Sequence, residues 1–425
     1  MPLPSWRHPR IAQALLGHRD PLSGHDEPTD PSSGARMLRW ELARTVLTRP
    51  AVVAGSGGGV ILLVAIEVFA AGPAVKAALA GASSLGLLLA PLVVTAVARR
   101  GLPANRALAL LTALAGAALA VAGLGGGLWP FAFGALFGVP LLYASLPLVT
   151  AVWQSGVPVE ARGRWFGIVS SAAAGGGIAA GAAMAAALGD DASGYRPVIV
   201  AVAVFLGGAA VAALRLPRQQ LARGARNPLH RLGLLTQNRP FGYLSLSWMI
   251  LGLGNLATIP LRTEWVAGSA GGVDYPARTI VLLTVVLPQL TSLLVSPAWG
   301  RVFDRFNFLK VRIGLNALFA ASIALYFTPW LAAQAAGSLL FGAAQGGGHI
   351  VWSLWVTKYA PPDQTADYMA VHTFLTGTRG VAAPFLAYAL VAGLPTQTVA
   401  WLGIGLITLA SVMLIPLFVR ARAVG

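Results

Sequence analysis

The sequence predicts an all-α polytopic membrane protein with twelve transmembrane helices in two pseudo-symmetric six-helix bundles. Three observations carry this expectation. Of 425 residues, 56% are hydrophobic and only 10% charged, whereas a soluble domain carries about a quarter charged residues. Apolar stretches long enough to cross about 30 Å of hydrocarbon, at about 1.5 Å per residue, recur from Ala51 almost to the C-terminal end. The basic residues between them fall mainly in alternate connections. This composition excludes an ordinary soluble enzyme and a disordered chain.

Residues 1–50 are polar, lack a signal-peptide core, and read as a loosely ordered tail. The tail ends in the amphipathic run Arg36–Arg44, expected as a helix lying on the membrane surface. The expected spans are 51–72, 75–97, 104–124, 129–153, 166–188 and 196–214, then 240–262, 278–300, 310–328, 330–357, 367–392 and 396–418. Residues 51–214 and 240–418 would form the two bundles, with 215–239 as linker and 419–425 as a second tail. The shortest turn expected is Phe327–Trp330, between spans 9 and 10.

Net charge is +16, with 30 Lys+Arg against 14 Asp+Glu. In a soluble chain this would suggest nucleic acid. Here 25 basic residues collect on one expected face, in the tails, the linker and the 2–3, 4–5, 8–9 and 10–11 turns. Four (Lys76, Arg196, Arg262, Arg278) lie on the other, and Arg379 lies within a span. The positive-inside rule then puts both termini in the cytoplasm, and an Ala-, Gly- and Arg-rich chain with few lysines suggests a bacterial inner membrane. There are no cysteines, so disulfides, thiolate metal sites and cysteine nucleophiles are excluded. No H-E-x-x-H, G-x-S-x-G or Walker A pattern is present, so no cofactor or ATP site is expected, and the chain does not read as an enzyme.

The two halves share landmarks. Aligning Pro91 with Pro297 brings Arg99 onto Arg305 and Arg106 onto Arg312, and aligning Pro158 with Pro361 brings Glu160 onto Asp363. Such duplication is common in membrane proteins built from two repeats.

The turn after span 8 reads Gly300-Arg301-Val302-Phe303-Asp304-Arg305-Phe306-Asn307-Phe308-Leu309-Lys310. It resembles the G-x-x-x-D-R-x-G-R-[RK] loop of the major facilitator superfamily at Gly300, Asp304 and Arg305, and departs at Asn307 and Phe308. In the first half Val94 and Ala98 replace the Gly and Asp, leaving Arg99 and Arg100. The resemblance implies a secondary transporter of a small solute working by alternating access, with protons as one candidate coupling ion and a monomer in the bilayer as the working unit. It also implies a cytoplasmic gate. Asp304 would latch onto Arg162 and Arg164, and Arg99 and Arg100 onto Asp367. A non-transporting sensor or assembly factor on the same fold is the alternative, since fold does not fix function.

Ionisable groups inside hydrocarbon are costly, so they are functional suspects. Glu67 lies about 24 Å along span 1. It is either a coupling carboxylate or an interfacial one. Arg379 lies near mid-membrane, on one face of span 11 with His372 and Thr376. It would bind an anionic group, pair with Glu67 or satisfy itself on carbonyls. By the family's arrangement, spans 1, 4, 7 and 10 line the cavity. Tyr143, Asn255, Gln345, His349 and Trp352 would then contribute, with Gln289 from span 8. Their mix of rings and neutral hydrogen-bonders suits a neutral or amphiphilic solute.

Overall fold

In the computed structural model, residues 31–157, 162–221, 231–269, 271–361 and 364–416 are described. Residues 1–30, the last nine residues and Asp363 lie outside this set, as do Glu160 and the side chain of Arg162.

All twelve spans form. Helix α1 runs in two segments, α1a Pro31–Ala54 and α1b Val60–Glu67, followed by α2 Pro73–Arg99 and α3 Ala104–Leu124. Helix α4 is also divided, into α4a Leu128–Ala144 and α4b Leu146–Gly156; α5 Arg162–Leu188 and α6 Tyr195–Leu214 complete the first half. The second half contains α7 Arg239–Val266 and an α8 made of α8a Ala277–Val281, a π-helical turn Leu282–Val286 and α8b Leu287–Arg305. It continues through α9 Phe308–Tyr326, α10 Leu331–Leu354, α11 Thr365–Val391 and α12 Thr396–Val412.

Each interruption has a local cause. Between α1a and α1b the chain reads Gly55-Ser56-Gly57-Gly58-Gly59, and each glycine costs a helix about 1 kcal/mol relative to alanine. Helix α4 breaks at Ser145, where Pro147 cannot donate a backbone hydrogen bond to the preceding turn. In α8 the π turn ends just before Pro288, and such turns re-phase the residues that follow. Asn238 caps α7 by accepting from the Phe241 N–H at 3.2 Å.

The first helix corrects the sequence reading. Its start lies at Pro31, not Ala51, and residues 31–50 are neither a loose tail nor a surface helix. Met37 and Glu41 are buried, and α1a packs against α5 and α6. Two of the charges in that run are consumed locally, while Arg36 and Arg39 are exposed. The Arg44 guanidinium donates to Glu41 at 2.8 Å, and the Trp153 indole N–H donates to Glu41 at 3.0 Å. A paired, hydrogen-bonded charge can be buried where a lone one cannot.

The halves repeat one packing scheme. In the first, α1 packs on α5 and α6, α2 on α4, and α3 on α4 and α6. In the second, α7 packs on α11 and α12, α8 on α10, and α9 on α10 and α12. Between halves, α2 meets α11, α5 meets α8, and α1b meets α7. Small residues make the approach possible. A side chain at Gly377 would stand 2.8 Å from the backbone N of Leu88, and one at Gly181 3.0 Å from Val285. Gly55, at the α1 break, also packs closely: a side chain there would stand 2.7 Å from Val139 of α4.

Candidate functional site

The ends of the bundle are distinguished by charge. The basic end carries the turns at Arg99–Arg100, Arg164 and Arg301–Arg305. The named cross-half contacts lie at mid-depth or towards the opposite end. There, Lys76 of α2 pairs with Glu264 of α7 at 2.6 Å, both largely buried. The Tyr388 hydroxyl of α11 donates to Glu264 at 2.9 Å, and the Lys76 ammonium lies 5.2 Å from the Tyr388 ring centre. The Ala277 N–H donates to the Asp190 carbonyl at 2.9 Å, and the Thr263 hydroxyl to the Gly58 carbonyl at 2.9 Å.

At the basic end no ion-pair latch between the halves is seen among the described residues. Arg99, Arg100, Arg164, Asp304 and Arg305 are exposed, and among the described residues none forms a cross-half ion pair. Gly300 has open space beside it. Asp367 pairs with Arg231 of the linker at 3.0 Å rather than with Arg99 or Arg100.

Two chambers are present. The first, about 430 Å³, lies within the first half, bounded by α1a, α3, α4 and α5, and includes Glu41, Arg44, Arg49, Thr112, Thr150 and Trp153. The second, about 160 Å³, lies between the halves at the α1 break. Ser56, Gly57 and Gly58 form one wall, and Ile259, Arg262, Gln289, Phe341 and Gln345 face them. Gln289 lies directly against Gly177 of α5. Arg49 is within electrostatic reach of Tyr143 on α4 and His349 on α10. His349 is solvent-accessible although it belongs to the interior of a long apolar helix.

The sequence-derived candidates thus separate. Gln289 and Gln345 line the inter-half chamber, and Tyr143 and His349 stand near Arg49. Asn255 is half-buried, its side-chain oxygen without a partner among the described residues. Glu67 is exposed at the last residue of α1b. It forms no ion pair with Arg379 among the described residues, so the pairing suggested across the bundle is absent. Arg379 is buried within the second half, donates to the Trp248 carbonyl, and lines neither chamber. Of its three suggested partners, carbonyls are the one observed. His372 sits among Trp248, Trp352 and Trp355, with ring centres 5.1–5.7 Å away, and the Trp352 N–H donates to Thr376 at 3.3 Å.

Two further residues matter. Arg262 was counted with the far-side cations, although it shares one face of span 7 with Asn255. It is buried, donates to the Ser322 hydroxyl at 2.7 Å and packs between the Tyr326 and Phe341 rings at 4.8 and 4.3 Å. Arg49 had been assigned to the tail. Its signal was the position two residues before the first uninterrupted apolar run, once α1 is extended back to Pro31.

Residues 272–424 match the family model for the Major Facilitator Superfamily. No curated protein matches the chain by sequence. Among solved structures, the nucleoside transporter NupG is similar at a TM-score of 0.69 and 15% identity, covering 91% of this chain and 99% of that one. The POT family transporter PepTSo is similar at 0.67 and 12%, covering 91% and 98%. A D-xylose-proton symporter is similar at 0.61 and 13%, covering 89% and 96%. The resemblance read from the α8–α9 turn is borne out by this fold and by the match over the second half.

Proposed function

We propose that this chain, which has the major facilitator fold and matches that superfamily's model over residues 272–424, is a secondary transporter of a small solute. Its two halves would rock about the inter-half chamber to expose it alternately to each side. One observation carries this reading. Two halves with the same internal packing meet through α2 and α11, α5 and α8, and α1b and α7, and a chamber lined by both halves lies at the α1 break.

With the basic end in the cytoplasm, the structure corresponds to the state closed on the outer side. The Lys76–Glu264–Tyr388 cluster is then the outer seal. In the opposite state Asp304 would approach the start of α5, whose N-terminus and Arg164 favour an anion. Asp367 would exchange Arg231 for Arg99 or Arg100. Simultaneous charge exchange of Asp367 and Arg100 should rescue transport better than either single change if that second latch exists. His349, exposed within α10, is our candidate for carrying a coupling proton, since its side chain is the kind that changes charge in proton shuttles. Glu67, exposed at the end of α1b, fits an interfacial carboxylate.

The test is a flux screen in proteoliposomes with a nucleoside, a dipeptide and a pentose, the solute classes named for the similar structures, alongside organic acids and amines. Each is measured with and without a pH gradient. Accumulation of any solute above protein-free liposomes supports transport. Absence of flux for every class favours a non-transporting sensor or assembly factor.

A further inference from the structure

We propose that the inter-half chamber selects an organic anion, a compact and partly apolar solute carrying a carboxylate, held by Arg262 and by the backbone of the α1 break. This rests on the transporter reading above and names its substrate class.

The charge balance comes first. The buried carboxylates among the described residues are Glu41 and Glu264. Glu41 is taken by Arg44, and Glu264 by Lys76. Arg262 is 4% exposed and has no carboxylate partner among the described residues. One of its terminal nitrogens reaches the Ser322 hydroxyl, while its Nε has no hydrogen-bond partner. A guanidinium so placed has been desolvated without a counter-charge, and it lines the chamber. Its fork of donors matches a carboxylate, and two flanking rings fix its plane.

The opposite wall supplies more positive potential. The break leaves the N–H groups of Gly57 and Gly58 without a carbonyl partner among the described residues. Both residues line the chamber. The eight-residue α1b begins directly after them, with its positive end on that side. No acidic residue lines the chamber. Gln289 and Gln345 add neutral donors, while Ile259, Leu283 and Phe341 supply an apolar surface for the rest of the solute. Arg49, within electrostatic reach of His349, lines the larger first-half chamber.

The test uses two series in which only head-group charge changes: benzoate, benzamide and benzylammonium, and butyrate, butyramide and butylammonium. Thermal unfolding of the purified full chain reports binding. Uptake of the same radiolabelled compounds into proteoliposomes reports transport. In the unmodified protein, the carboxylates should raise the unfolding midpoint more than their amides or amines. Arg262→Gln should weaken the carboxylates roughly tenfold to hundredfold, while Arg262→Lys should keep part of the preference. Uptake of an amide or amine that Arg262→Gln leaves unchanged overturns the anion class and leaves the transporter reading intact. Carboxylate binding lost in Arg262→Gln, but with no uptake of any compound, keeps the anion site and overturns the transporter reading. Equal stabilisation by all three members of each series, or by none, overturns the inference. If Arg262→Gln does not fold, the charge series on the unmodified protein and on Arg262→Lys decides.

Discussion

Removing the Lys76 charge should open the end of the bundle that this structure shows closed. Lys76 and Glu264 belong to different halves, lie 2.6 Å apart, and expose 15% and 3% of their side chains. Breaking a fully buried pair by deleting one partner costs about 3–5 kcal/mol. Here Glu264 keeps its hydrogen bond from Tyr388, and Lys76 is partly wet, so about 2 kcal/mol is the reasonable share. That loss falls only on the closed state and shifts the ratio of states roughly thirtyfold. The absence of native cysteines makes the measurement direct. Spin labels at Gly126→Cys and Gly393→Cys would sit in different halves at the affected end, where an added side chain meets nothing within 4 Å. Lys76→Met should enlarge a longer-distance population in the double electron–electron resonance trace. Adding Glu264→Gln should restore part of the short distance, because no uncompensated carboxylate then remains. A Lys76→Met distance distribution that superimposes on the parent refutes the seal.

Three further outcomes follow from packing and charge. Gly377→Ala should separate α2 from α11, because the new methyl meets the Leu88 backbone rather than a movable side chain; about 1–3 kcal/mol lost from the closed state would appear as the same spin-label lengthening. Glu41→Gln should lower the thermal midpoint by leaving Arg44 buried without its carboxylate, at a cost of about 3 kcal/mol. Adding Arg44→Met should recover part of that loss, and a double variant no more stable than the single would contradict the pairing. Arg379→Gln should reduce thermal stability while leaving the apparent affinity for a transported solute unchanged, since the guanidinium serves the Trp248 carbonyl inside the second half. A tenfold rise in KM would return Arg379 to the solute site.

The sequence reading was strongest where one helix is enough to decide. The span α3, expected over 104–124, forms as Ala104–Leu124, and the short turn at Phe327–Trp330 is present between α9 and α10. Hydropathy and turn residues are local, so their signal survives without knowledge of neighbours. It failed at α1, where the run Arg36–Arg44 was read as a helix lying on the membrane surface; Arg36 and Arg39 are exposed, but Glu41 and Arg44 are buried. Nothing within that run announces that Trp153, 112 residues later, donates to Glu41. Depth along a span does not decide access to a chamber: Arg262 lines the inter-half chamber and Arg379 does not.

By itself the sequence determined the number and order of the helices, the six-plus-six division, and the end on which the basic residues collect. These depend on transfer free energy summed along single segments and on the spacing of charged turns. Only the tertiary structure decided which charges have partners. Glu41 and Glu264 are consumed by Arg44 and Lys76, while Arg262 is left with its Nε unpartnered beside the gap in α1. Pairing depends on where residues from separate helices converge, to within a hydrogen-bond length, and no property of one segment encodes that distance.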